Sequence, residues 1–218
     1  MRPVIIINFK TYRQATGKKA LKLAKVCAKV AKSYRADIRI AVQPTDLQII
    51  ANAVKIPVYA QHMDPESFGK FTGFLTAEAL RADGAKGTLL NHSEHRLSKS
   101  VLKACVKKAK SLGLKVVLCA RTPKEGQMLT RLKPDFIAIE PAALIGGKIS
   151  VSEAEPWLIQ DIVKRIGKKE RILVGAGVHT GEDVHIASKL GAAGVLLASG
   201  VTTAKNPESV LKNLVSRK

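Results

Sequence analysis

The chain has 218 residues, 46% hydrophobic and 4% aromatic, and its 37 lysines and arginines against 17 aspartates and glutamates give a formal charge of +20. That is enough aliphatic side chain for a sizeable core in one domain, 1–218, and it excludes a disordered polyelectrolyte. It contains no run of about 20 apolar residues to span a membrane. Met1 leads within a few residues into a strand rather than a signal-peptide core, so the expectation is a cytoplasmic protein with no membrane partner.

Cys27, Cys105 and Cys119 are odd in number, far apart and set in apolar stretches, which reads as core packing rather than zinc or redox work. His62, His95, His179 and His185 lack metal-ligand spacing, so no metal is expected. The lysines spread over nearly every helix and are not interleaved with aromatics. They imply a solvated basic surface that attracts nucleic acid only non-specifically.

Short apolar runs alternate with amphipathic segments eight times. The strands read as 4–8, 38–42, 57–60, 87–91, 116–120, 136–139, 172–174 and 195–197. After the first, Ala20, Leu21, Ala24, Cys27, Val30 and Ala31 recur at helical spacing. Thr45 and Gln48 form a capping-box pattern before Leu47, Ile50, Ala51 and Val54. A longer segment follows the third strand, with Phe68, Phe71 and Phe74 among glycines, before a short helix near 77–81; such a loop suits a functional or subunit contact.

The fourth helix follows residues 92–96 and stops at Gly113. Thr122, Pro123 and Glu125 open the fifth. Ser152 and Glu155 open the sixth, with Trp157, Leu158, Ile162, Val163 and Ile166 inward. Thr180 and Asn206–Pro207 open the last two. Eight such units without a linker predict a single α/β (β/α)8 barrel. An open doubly wound sheet is the alternative, but it needs a glycine-rich first turn, and Asn8-Phe9-Lys10 stands there instead.

Active sites of this fold gather where the strands end. Those positions hold Asn8 and Lys10, then His92, Ser93 and Glu94, then Glu140. The last two strands end in Gly175-Ala176-Gly177-Val178 and Ala198-Ser199-Gly200, whose backbone N–H groups suit a phosphate. A base, a carbonyl-polarising imidazole and a cation point to proton abstraction beside a carbonyl in a small phosphorylated substrate.

The N-F-K after the first strand, N-H-S-E-H-R at 91–96, E-P with I-G-G at 140–147, and the G-A-G-V and A-S-G-V turns resemble triosephosphate isomerase. The resemblance covers essentially the whole chain, and the short length is similar to the archaeal form. It implies that Glu140 is the base, His92 the neutral electrophile and Lys10 the cation that stabilises an enediolate, with Asn8 orienting the substrate. It makes Glu94 the carboxylate close to Lys10 and Ser93 a supporting partner. It implies phosphate contacts from Ile145, Gly146, Gly175, Gly177, Val178, Ala198 and Ser199, and a lid at 141–148. It further implies a triose phosphate substrate, a place in glycolysis and gluconeogenesis, no cofactor, and a homotetramer or homodimer. Two positions depart from the family pattern. The lid reads Gly147-Lys148 where threonine and glycine are usual, and His95 stands where an arginine often follows the serine and glutamate.

Taken singly, His92 reads as a core histidine, Lys10 as surface charge, and Gly175 with Gly177 as a tight turn. Two other readings compete. One is another phosphate-binding barrel, such as an isomerase of histidine or tryptophan biosynthesis, which tends to use Asp or Cys at other strand ends. The other is a basic nucleic-acid-associated or structural protein, for which Glu140→Gln would have no effect.

Overall fold

The computed structural model describes residues 2–140, 156–167, 171–175 and 178–216. Eight parallel strands close into a barrel in chain order: β1 (Val4–Asn8), β2 (Asp37–Val42), β3 (Val58–Ala60), β4 (Gly87–Leu90), β5 (Lys115–Ala120), β6 (Phe136–Ile139), β7 (Ile172–Val174) and β8 (Gly194–Leu197). The helices are α1 (Lys18–Tyr34), α2 (Pro44–Ala53), α3 (Ala77–Ala82), α4 (Lys99–Ser111), α5 (Pro123–Leu129), α6 (Pro156–Ile166), α7 (Gly181–Lys189), α8 (Ser199–Thr202) and α9 (Pro207–Val215). This is the (β/α)8 architecture expected from the eightfold alternation.

The strands are apolar on both sides because both sides are covered. In β1, Val4 and Ile6 join Ala41, Tyr59, Leu89, Val117, Cys119, Phe136, Ala138, Leu173 and Leu196 in an inner cluster. Ile5 and Ile7 join a second cluster with the helix residues Ala20, Leu23, Ala24 and Cys27. Successive β-carbons point to opposite faces of a strand, so one strand serves both layers. The barrel shuts where β1 pairs with β8, Val4 opposite Gly194. A β-carbon on Gly194 would lie 1.9 Å from the carbonyl oxygen of Val4, so only glycine lets the two backbones meet.

Local differences from the sequence reading have local causes. No capping box forms at Thr45: α2 begins at Pro44 with Gln43 as its cap residue, because proline supplies the first-turn geometry. The Asp46 carboxylate instead accepts the Gly17 N–H at 2.9 Å. Leu23 takes the buried place expected of Leu21. β4 stops at Leu90 because Asn91 turns to φ 63°. Ser98 caps α4, accepting from the Val101 N–H, and Thr180 with Asp183 forms a capping box on α7. The expected opening of the sixth helix at Ser152 and Glu155 lies outside the described residues.

Candidate active site

Because every strand runs the same way, all C-terminal strand ends lie on one rim. At the end of β1, Asn8 is buried and its Oδ1 accepts the Lys10 N–H at 3.0 Å. Lys10 stands in the left-handed region at φ 47°, which a β-carbon disfavours. Gln61, directly after β3, donates from Nε2 to the Lys10 carbonyl at 3.0 Å and to Asn8 Oδ1 at 3.2 Å. Both backbone polar groups of Lys10 are thereby tied to side chains, and this fixes the strained turn. Its Nζ reaches Glu94 Oε1 at 2.6 Å.

After β4, Asn91 turns the chain and His92 is buried behind it. Asn91 Nδ2 donates to the Cys119 carbonyl at 3.0 Å and its Oδ1 accepts the Leu97 N–H at 3.2 Å. Arg96 donates to the Asn91 carbonyl at 3.0 Å and pairs with Glu125. Glu125 also accepts the Arg121 N–H at 2.8 Å. Burial disfavours the Glu125 carboxylate, but the Arg121 N–H and the Arg96 guanidinium outweigh it and hold its carboxyl below the usual range. The Glu94 backbone N–H donates to His92 Nδ1 at 3.2 Å. An acceptor nitrogen carries no proton, so this bond selects the neutral tautomer protonated at Nε2. Ser93 between them is partly buried.

Glu140 follows β6 directly and is 5% exposed. Its Oε1 lies 3.3 Å from His92 Nε2, while Oε2 has no hydrogen-bond partner among the described residues. Its backbone N–H donates to the Ala120 carbonyl at 2.8 Å. The Cys119 thiol lies in the barrel interior, where burial and then the nearby Glu140 charge push it well above its ordinary range. Gly175, next to the end of β7, leaves room for the glutamate: a β-carbon there would stand 2.4 Å from Glu140 Cγ.

On the adjoining stretch of rim, Val178 is buried and Ala198 caps the short α8. The Val201 and Thr202 N–H groups turn back onto the Ala198 carbonyl. As the first residues of the helix, Ser199 and Gly200 have no intrahelical acceptor for their own N–H groups. Gly200 approaches the Val178 carbonyl, with 3.8 Å left for a β-carbon, so the two turns are neighbours. Ile145, Gly146, Gly177 and the 141–148 segment lie outside the described residues.

The rim thus brings Asn8, Lys10, His92, Glu94 and Glu140 into one connected set. The sequence reading missed Gln61 and read Glu125 only as a helix opener and Cys119 only as core. Gln61 had a signal, being the polar residue immediately after a strand. Among the described residues His95 has no carboxylate partner; it stacks on His62 with ring centroids 4.0 Å apart, and Arg96 makes an ion pair with Glu125 instead. Phe68, Phe71 and Phe74 are 79%, 44% and 48% exposed. Among the described residues, no group of three or more His, Cys, Asp or Glu side chains could hold a metal ion, and no helix is long and apolar enough to cross a membrane.

The family model described as triosephosphate isomerase matches residues 3–216. A triosephosphate isomerase of Methanocaldococcus jannaschii is 44% identical over 215 residues, 97% of this chain and 98% of the relative. One from Methanothermus fervidus is 42% identical over 218 residues, 99% and 98% of the two chains. One from Saccharolobus solfataricus is 44% identical over 216 residues, 98% and 95%. With a match that runs from the first strand to the last helix, the chain belongs to the triosephosphate isomerase family.

Proposed function

We propose that the protein, acting as one barrel domain, interconverts dihydroxyacetone phosphate and glyceraldehyde 3-phosphate without a cofactor. The observation that carries this reading is the pairing of a protonated His92 Nε2 with a buried Glu140 carboxylate 3.3 Å away. The substrate displaces this contact, its carbonyl oxygen taking the Nε2–H in place of the Glu140 carboxylate and its neighbouring carbon facing Glu140. Glu140 removes the proton from that carbon, the electrons move onto the carbonyl oxygen, and an enediolate forms. Returning the proton to the other carbon completes the isomerisation.

His92 donates as a neutral imidazole, supported by the tautomer that the Glu94 N–H selects. Lys10 places a cation beside the developing oxyanion, and Asn8 and Gln61 fix where that cation stands. Glu94 and Ser93 support the lysine and histidine from the next turn. The phosphate is held by backbone N–H groups of Gly177, Val178, Ala198 and Ser199; the Gly175 N–H already donates to the Ile139 carbonyl at 2.8 Å, so Gly175 contributes by its missing side chain rather than as a donor. Ile145 and Gly146 contribute from a lid that excludes water. The exposed phenylalanines 68, 71 and 74 support assembly into a homodimer or homotetramer, in the cytoplasm; light scattering that gives a monomer at working concentration would overturn the assembly.

The deciding experiment is a coupled assay of triose phosphate interconversion by the wild type and by Glu140→Gln, with circular dichroism on both. Activity in the wild type and its loss in a folded variant support the base. A folded wild type that does not turn over the triose phosphates overturns the reading.

A further inference from the structure

The outward face of α1 carries a feature that the isomerase reading does not use. The residues Ala20, Leu23, Ala24, Cys27, Val30 and Ala31 are buried against the barrel. At about 100° per residue, Lys18, Lys22, Lys25, Lys29 and Lys32 fall on the opposite side in one row about 21 Å long. All five are exposed, and the helix contains no acidic residue. Successive lysines in the row are three or four apart, the spacing at which like charges repel. Lys18 also occupies the first turn, where the helix dipole disfavours a cation.

Among the described residues only Lys29 of the row has a carboxylate partner, Glu208 at 3.0 Å, and Lys212 shares that carboxylate at 2.9 Å. The row is therefore kept against its own electrostatics, and an external line of negative charge would reverse the sign of that cost. The basic helix α4 carries a shorter row of exposed lysines, Lys99, Lys103, Lys107 and Lys110; Lys110 at its end is tied to the Lys133 carbonyl at 2.7 Å, and Lys108 beside the row pairs with Glu78 at 2.6 Å.

We propose that the lysine row of α1 binds the phosphate backbone of duplex nucleic acid without reading its sequence. A duplex carries one charge per about 1.7 Å of axis, so the row spans about six base pairs. The row has no arginine, asparagine or glutamine to address base edges, and no aromatic ring on which a single strand would stack. The helix's apolar face is committed to the barrel and cannot enter a bilayer. The row also lacks the aromatic or arginine anchor on which a protein interface is centred.

The test is a fluorescence-anisotropy titration of a random-sequence DNA duplex of about 20 base pairs with the full chain, from about 50 to 200 mM salt. Three proteins are compared: the wild type, Lys18, Lys22, Lys25 and Lys32→Gln together, and the charge-matched control Lys99, Lys103, Lys107 and Lys110→Gln. At about 0.9 per phosphate, the wild type should show a log–log salt slope of about −4.5. The α1 variant should show about −1 and bind at least tenfold more weakly at the low-salt end. The α4 control should stay within about threefold of the wild type. Thermal melts verify folding, and the milder pair Lys22 and Lys25→Gln, expected to remove about 2 from the slope, replaces the α1 variant if it melts early. Equal losses in the two fourfold variants, a wild-type slope shallower than about −2, or tighter binding to vesicles of anionic lipid than to the duplex would each overturn the proposal.

Discussion

Gly175 and Glu140 interlock: a β-carbon on the glycine would stand 2.4 Å from Glu140 Cγ and 3.0 Å from the Ile139 carbonyl oxygen. The glutamate can occupy its place beside His92 only while position 175 carries no side chain. Gly175→Ala should therefore displace the carboxylate by a fraction of an ångström to an ångström, and a shift of that size costs about 10²-fold in turnover. Steady-state kinetics should show the loss in kcat, with KM changed far less. An unchanged kcat would mean that the carboxylate does not act from this position.

The bond from the Glu94 N–H to His92 Nδ1 sets a spectroscopic expectation. Nitrogen-15 NMR of labelled protein at neutral pH should show His92 protonated at Nε2 and bare at Nδ1. His92→Gln removes the donor while keeping the polar volume, and kcat should fall by about 10²- to 10⁴-fold. An Nδ1-protonated ring would contradict the direction of donation inferred from the structure.

Arg96→Gln leaves Glu125 with one fewer charged partner in a half-buried place. Urea unfolding at neutral pH should report a loss of about 1–3 kcal/mol. Because the Glu125 carboxyl is held below its ordinary value of 4.5, its stabilisation is fully present above that value and disappears as pH falls through the lower folded one. The gap between wild type and variant should accordingly narrow in acid. A gap that widened would refute the assignment.

His62 titrates in the opposite sense from a salt-bridged histidine. Burial lowers its pKa below 6.5, the Asp64 hydrogen bond opposes this, and the stacked His95 adds to the lowering. The unfolded chain therefore takes up a proton first. Stability is complete above 6.5 and is lost as pH falls from there to the folded value. Asp64 also accepts the Leu75 N–H at 2.8 Å, so the histidine's hydrogen-bond partner is tied to the base of the phenylalanine loop. Unfolding midpoints followed through this range should fall for the wild type and stay flatter for His62→Gln.

Much of this was legible in the residues. The alternation of apolar runs with helical spacing implied the barrel, and the strand-end rule then selected Asn8, Lys10, His92, Glu94 and Glu140 without any contact information. What stayed hidden depends on contacts between distant segments. Gln61 matters because β3 lies two strands from β1 and its amide reaches over the Ala41 carbonyl to Lys10. Glu125 looked like a helix-opening residue and is one, but its carboxylate also receives Arg96 from the preceding unit. Thr45 misled because a capping pattern is a statement about four residues, and Pro44 had already set the helix start.

The meeting of Val4 with Gly194 has a consequence for how the protein is made. The strand that opens the chain is apolar along its whole length, and its second neighbour is roughly 190 residues downstream, about 10–40 s later at ribosomal rates. Throughout that interval one edge of Val4–Asn8 has nothing to pair with. The nascent chain must reach its eighth strand before the ring exists, so a stalled or shortened product exposes a sticky ribbon. Of all the strands, the first therefore waits longest during synthesis for its second neighbour.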